Sequence, residues 1–347
     1  MSNNSNNTVV LSQAQIDLFK ILGIRNFIWS YIETPMLSFG VLGNLLIIVY
    51  FIQLNWNNLK TMSSYHFLLI NLALSDALSC GGTAYSLYHF MKPSWEMGTF
   101  GCVCVVNVFI NICPMASCLL LITTSYARYR RIVTPFKRKL NKIQYSIICL
   151  IIWILSSLTY LHYFLNRKVV EINNGTLQCM YFGAEFVNQL FVFAWDILIA
   201  VAIMVYFYIK IKKRLDCEEN SNHTHLNDSS RQRNQLILRT LKALIVVYTI
   251  FAYPGRIFAM IGNTVFYYGS VENPPNQEMM NAAVILVQIV AMILYYSNNI
   301  FNVFVYYKVM PEFRAFVLNV LTFGFYKKHN EIHPASETNH TNDGEPS

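Results

Sequence analysis

Charge placed inside an apolar stretch is the first sign of chemistry in this chain. Asp76, Asp196 and Arg256 are the only Asp, Glu, Lys or Arg residues in the stretches 61–91, 186–209 and 243–271, respectively. An ionised group in an apolar medium is costly unless polar partners or an opposite charge compensate it. Asn44, Ser117, Asn298 and Asn302 can supply oxygens around Asp76. That set reads as a site for a cation or water, or as a polar cluster that packs helices together. Asp196 and Arg256 have two readings of the same kind. They can pair with each other and fix the helix arrangement. Alternatively, Arg256 receives an anionic or carbonyl group of a ligand and Asp196 a basic one. Arg128, just beyond a long uncharged run, is either a functional contact or an arginine that snorkels to the membrane surface.

The elements that must position these residues follow from composition. The 347-residue chain is 54% apolar and 13% charged, with a mean hydropathy of +0.36. Soluble domains carry about a quarter charged residues. Four stretches, 34–59, 97–127, 143–166 and 279–307, contain no Asp, Glu, Lys or Arg at all. With the three singly charged ones they make seven runs, each long enough for a helix to cross a bilayer core of about 30 Å. Barrel strands are excluded, because they are short and alternate. The expected fold is therefore an all-α membrane protein, a seven-transmembrane helix bundle.

The net charge of +8 is not spread evenly. With the N-terminus outside, 20 of the 26 Lys and Arg residues fall on the inner side and 6 on the outer. The positive-inside rule favours that orientation. Basic residues beside an anionic leaflet account for the excess without a nucleic-acid partner. No cleavable leader is expected, because the first apolar run starts late and is too long for one. Asn3, Asn6 and Asn174 are glycosylation acceptors on the outer side, whereas Asn222, Asn227 and Asn339 lie inside and are expected to be silent.

The expected boundaries are an extracellular tail at 1–27, the seven-span domain at 28–309, an eighth helix at 310–322 and a cytoplasmic tail at 323–347. The eighth helix rests on Phe313, Phe316, Val317 and Val320, spaced as one apolar face with Arg314 on another. In the second outer loop, β-forming residues at 169–172 and 177–180 flank an Asn-Gly pair, which predicts a hairpin with Cys179 on its return strand.

Taken in order, the motifs resemble those of the rhodopsin-like G-protein-coupled receptors across all seven spans. Gly43-Asn44 is similar to the first-span signature, Asn71-Leu72-Ala73-Leu74-Ser75-Asp76 to the second. Trp95, Gly98 and Cys102 resemble the first outer loop and the third-span cysteine. Arg128-Tyr129, followed by Ile132-Val133 and Pro135, resembles the third span's inner end. Trp153, Pro254 and Asn302-Val303-Phe304-Val305-Tyr306 resemble the signatures of the fourth, sixth and seventh spans.

The resemblance implies a plasma-membrane receptor that takes an extracellular ligand and activates a heterotrimeric G protein. It implies no enzymatic activity and no cofactor beyond sodium as an allosteric ion. Asp76, Ser117, Asn298 and Asn302 would form the sodium site. Arg128, Tyr129, Tyr208, Pro254, Asn302 and Tyr306 would form the coupling switch. Cys179 would be disulfide-bonded to the third span. The tryptophan spacing selects Cys102 as its partner, but Arg128 then lies one residue beyond the family offset, and from Cys104 it lies one residue too near. Pro114 can allow a bulge that absorbs the difference.

The ligand pocket would include Ile110, Asp196, Arg256, Gln288 and Tyr295 between the third, fifth, sixth and seventh spans. Ile110 stands where amine receptors carry an aspartate, and 279–307 has no lysine for a retinal Schiff base. The hairpin, and 130–137, which resembles the inner loop of RFamide-binding neuropeptide receptors, point to a peptide.

The departures are specific. Ala127 replaces the acid beside Arg128, no acid occurs in 231–242, Ala252 stands at the usual tryptophan, and Val303 replaces the seventh-span proline. These predict a raised basal activity or, alternatively, a receptor that couples poorly. A transporter is a further alternative, but paired repeats are missing. No GxSxG, HExxH, P-loop or GxGxxG occurs to support an enzyme.

Overall fold

A computed structural model of the chain describes residues 23–55, 64–92, 94–134, 140–172, 175–182, 194, 199–220, 228–261 and 277–323. Eight helices carry the argument. They are α1 (Gly23–Leu54), α2 (Ser64–Phe90), α3 (Gly98–Ile132), α4 (Lys142–Thr159), α5 (Ala200–Asn220), α6 (Asp228–Val247, continuing to residue 261), α7 (Gln277–Val309) and α8 (Pro311–Leu321). Within the described residues, five helices are long and apolar enough to cross a membrane: α1, α2, α3, α6 and α7. The apolar part of α4, Ile143–Thr159, is shorter, and the outer part of the fifth apolar stretch lies mostly outside the described residues.

The distribution of side chains is that of a protein in lipid. Leu42, Val49, Leu150, Leu158 and Ile250 are exposed, while Asn44, Ser75, Asp76, Asn107 and Asn302 are buried between helices. Apolar residues cost nothing against hydrocarbon, and polar ones must find partners inside. One apolar cluster joins α2, α3, α4, α5, α6 and α7, and a second joins α1, α2, α7 and α8. Helix α8 docks through Phe313 and Val317, whereas Val320, expected on the same face, is 43% exposed.

The helices are not uniform, and the chain says why. π-Helical turns at Trp29–Glu33, Val108–Ile112 and Tyr248–Ala252 lie just before Pro35, Pro114 and Pro254. A proline has no N–H and crowds the carbonyl four residues earlier. Here those carbonyls belong to Tyr31, Ile110 and Ile250, each inside one of the π turns. The widened turn relieves the crowding, as at Thr34 N–H, which reaches back to Trp29 O, and Cys113 N–H, which reaches Val108 O. A fourth π turn, Gly101–Val105, has no proline after it, and nothing in the structure explains it.

At the outer end, β1 (Arg167–Ile172) pairs antiparallel with β2 (Thr176–Tyr181), with Val169 opposite Cys179. The strands extend beyond the expected cores. Gly175, at φ +80°, takes the left-handed conformation that the turn requires. Trp95 N–H donates to Leu177 O at 2.7 Å and so ties the first outer loop to the hairpin. Asn3, Asn6 and Asn174 lie outside the described residues.

Candidate functional site

Three polar assemblies lie along the bundle. The central one forms around Asp76, which is fully buried on α2. Ser117 of α3 donates to Asp76 Oδ1 at 2.5 Å, and Asn302 of α7 donates through Nδ2 to Oδ2 at 2.8 Å. Asn302 thus holds the carboxylate with its N–H, a role different from the oxygen donor expected of it. Asn298, one turn away on α7, does not bond Asp76. Its Nδ2 donates to Asn299 at 3.4 Å, and its Oδ1 is buried without a partner among the described residues. Asn44 donates to the carbonyls of Gly40 and Asn299, and its own Oδ1 is likewise unmatched. A carboxylate, a hydroxyl and an amide oxygen are donors of the kind that suits a hard cation.

The inner assembly centres on Arg128, 4% exposed at the end of α3. With Ala127 beside it and no acid in 231–242, it makes no carboxylate contact among the described residues. Arg128 Nε donates to the Tyr65 hydroxyl of α2 at 3.0 Å, and its second terminal nitrogen makes a shorter bond to the same oxygen. The guanidinium lies 5.1 Å from the Tyr65 ring centroid. Its remaining nitrogen donates to the Ile237 carbonyl of α6 at 3.4 Å. Arg128 therefore bridges α2, α3 and α6. The Tyr248 hydroxyl reinforces the α3–α6 link through Cys118 Sγ at 3.2 Å. Tyr306 is buried on α7, and its hydroxyl has no partner among the described residues. Tyr129 packs on Phe207 of α5 with ring centroids 5.3 Å apart, and Tyr208 flanks the large core cluster. Pro254 follows the π turn of α6.

The sequence offered no direct sign of Tyr65, since a tyrosine in an apolar run is usually packing. The signal was indirect. A buried arginine deprived of acids must find another acceptor.

At the outer end, Cys102 and Cys179 form a disulfide, with Cα atoms 5.5 Å apart. Cys104 is in no disulfide. Of the two pairings that the sequence left open, the structure holds the first. Two π turns of α3 precede Pro114, Cys102's own and Val108–Ile112, which gives the extra residue on the way to Arg128 its place.

Arg256 of α6 donates to the Tyr295 hydroxyl of α7 at 2.5 Å and lies 4.1 Å from the same ring's centroid. The helices approach closely there, because a Cβ on Gly255 would come within 2.8 Å of Tyr295 N. Asp196 lies outside the described residues, so its relation to Arg256 is not part of this geometry. Gln288 is two turns further out than Tyr295 on α7, and Ile110 packs against the cluster of Trp95 and Cys102. The expected pocket residues are thus divided: Arg256 joins Tyr295, while Gln288 faces a separate outer cavity of about 410 Å³.

That cavity is bounded by α1, α2, the first outer loop, the hairpin and α7, through residues that include Arg25, Glu33, His89, Trp95, Gln178 and Gln288. Lys92 on its wall is ion-paired with Glu96, whose hydrogen bond raises the ammonium's pKa above the ordinary lysine value. Glu33 was missed in the sequence because it sits one residue before an uncharged run. An acid at such a boundary is the signal that could have found it.

The chain is similar in sequence to known proteins. The family model described as the seven-transmembrane receptor (rhodopsin family) matches residues 43–306. The type-1 angiotensin II receptors of Sus scrofa and Homo sapiens are each 25% identical over 321 residues, covering 87% of this chain and 83% of theirs. The type-1 angiotensin II receptor A of Rattus norvegicus is 24% identical over 301 residues, covering 82% and 77%.

Proposed function

Since the chain belongs to the rhodopsin family of seven-transmembrane receptors, which are G-protein-coupled receptors, we propose that it binds an extracellular peptide and relays binding to a heterotrimeric G protein. It does so from the plasma membrane, with its N-terminus outside. The domain boundaries are those read from the sequence, with α8 lying on the inner leaflet. A peptide ligand is supported by the hairpin over the outer end and by relatives named for the peptide angiotensin II.

The observation that carries the coupling half is Arg128. A buried guanidinium bonded to a tyrosine hydroxyl and a carbonyl, rather than to a carboxylate, is held weakly enough for movement of α6 to release it. Tyr306, with its unmatched hydroxyl, and Tyr208 are then the groups that receive it. A sodium ion fits the central donor set. Asp76, Ser117 and Asn298 would hold it, and its charge would compensate the buried carboxylate and favour the resting packing of α2, α3 and α7. Arg256 and Tyr295 are the inner floor of the ligand site, with Asp196 as an added contact.

The test is a library of secreted peptides applied to cells expressing the chain, with nucleotide exchange measured on a panel of G proteins. Peptide-evoked exchange is expected. Substrate accumulation without exchange would overturn the reading in favour of a transporter. Arg256→Ala separates contact from packing: loss of peptide response at normal surface density supports contact, and loss of surface density supports packing.

A further inference from the structure

We propose that the outer cavity between α1, α2, the hairpin and α7 is a subsite for a cationic group of the ligand, an ammonium or guanidinium, with Glu33 as its acceptor. The inference rests on the receptor reading above and adds the chemistry of one part of the ligand. Glu33 is only 5% exposed, yet it makes no hydrogen bond or ion pair among the described residues. It lines a cavity of about 410 Å³ that is open enough to admit a side chain or a chain terminus. A buried carboxylate with no contact partner is a strong attractor for positive charge.

The surroundings fit a cation. The rings of Trp29, Phe90 and Trp95 share the cavity wall, and aromatic faces attract ammonium and guanidinium groups. The nearby cations do not satisfy Glu33. Lys92 is taken by Glu96. Arg25 acts on Glu33 through space, but its guanidinium donates at 2.8 Å to the sulfur of Met91, a weak acceptor. Among the described residues Trp29 Nε1 and His89 Nδ1 are also shielded and without a partner, which leaves polar capacity in the wall for a ligand's backbone groups. The rival account is that Arg25 and Glu33 balance each other and do nothing else. The two accounts predict opposite behaviour for the two residues.

The full-length chain carrying Leu87→Cys in the cavity wall supplies the measurement. On intact cells, the thiol is labelled with a thiosulfonate bearing either trimethylammonium or sulfonate, and the two rates are compared. Agmatine, a small guanidinium, serves as the competing probe. Adding Glu33→Gln is expected to lower the cation-to-anion rate ratio about tenfold, the size of one unit charge acting at several ångströms in a partly desolvated site. Agmatine should slow labelling, and Glu33→Gln should abolish that protection. Arg25→Gln should raise the rate ratio and strengthen protection. Ile285→Cys, on the α7 wall, repeats the series should Leu87→Cys fail to reach the surface. A ratio that neither substitution moves, protection indifferent to Glu33, or equal loss of surface density in both variants overturns the proposal. No G protein enters this measurement, so its failure leaves the receptor reading standing. Intact agmatine protection without any peptide-evoked exchange would count against the receptor reading alone.

Discussion

Tyr65→Phe is the most direct perturbation of the inner switch. The substitution keeps the ring, and so the guanidinium–ring contact at 5.1 Å, but removes the hydroxyl that accepts two bonds from Arg128. Arg128 is left with the Ile237 carbonyl at 3.4 Å. A hydrogen bond to a charged group contributes about 1.5–3 kcal/mol. If that contact belongs to the resting arrangement alone, its loss shifts the active-to-resting ratio by about 10- to 150-fold. The assay is ligand-independent nucleotide exchange in membranes at matched receptor density, over a panel of G proteins. Basal exchange should rise. Ala127→Asp should lower it in the parent chain, and in the Tyr65→Phe background it should restore restraint by giving the guanidinium a carboxylate. The double-mutant cycle should be non-additive, because both changes act on one group. Basal exchange that stays level or falls in Tyr65→Phe at normal surface density would refute the reasoning. The tyrosine would then be packing, and the raised basal activity expected from the missing acids would have to be sought elsewhere.

Gly82→Ala places a Cβ 1.9 Å from the Phe109 ring, so α2 and α3 must part; a loss of about 1–3 kcal/mol is expected. It should appear as a lower Tm of the solubilised protein, while Gly81→Ala, whose nearest neighbour is Val41 at 3.4 Å, should change little. Cys179→Ser opens a link between residues 77 apart in sequence, worth about 4.5 kcal/mol on the chain-entropy account, and should sharply reduce surface density where Cys104→Ser does not. Asp76→Asn keeps an oxygen for Ser117 while removing the charge, so stability should be preserved or raised and the response of basal exchange to replacing sodium with N-methylglucamine should vanish. A sodium response retained in that variant would remove Asp76 from the ion site.

Much of the architecture was legible because the bilayer imposes a coarse code. Runs such as 34–59 and 97–127 declare themselves by length alone. The hairpin was legible from Asn174-Gly175, since few dipeptides adopt the turn required. The buried polar partners were only half legible. Asp76 announced that something must compensate it, and Ser117 and Asn302 do so. The division of labour between Asn302, which donates, and Asn298, whose oxygen remains unmatched, depends on side-chain orientation at identical residue types. Sequence spacing carries no information on that.

Register within a helix was the deeper difficulty. Counting residues from Cys102 to Arg128 presumes a constant 3.6 per turn. Helix α3 abandons that count twice, at Gly101–Val105 and Val108–Ile112. The second break has a cause visible in the sequence, Pro114, whose ring cannot share space with the Ile110 carbonyl. A π turn holds an extra residue and rotates everything beyond it. The mismatch in offset was therefore a structural signal and not a flaw in the pairing. The same logic applies on α6, where Tyr248–Ala252 precedes Pro254. There Ala252 is buried where a large ring was expected, while Phe251, one residue away, stacks on Phe301 of α7 with centroids 4.4 Å apart. An aromatic contact between α6 and α7 is thus made one position away from the residue that the linear motif singles out. A linear comparison registers Ala252 as a missing ring and does not see that the neighbouring position supplies one to α7.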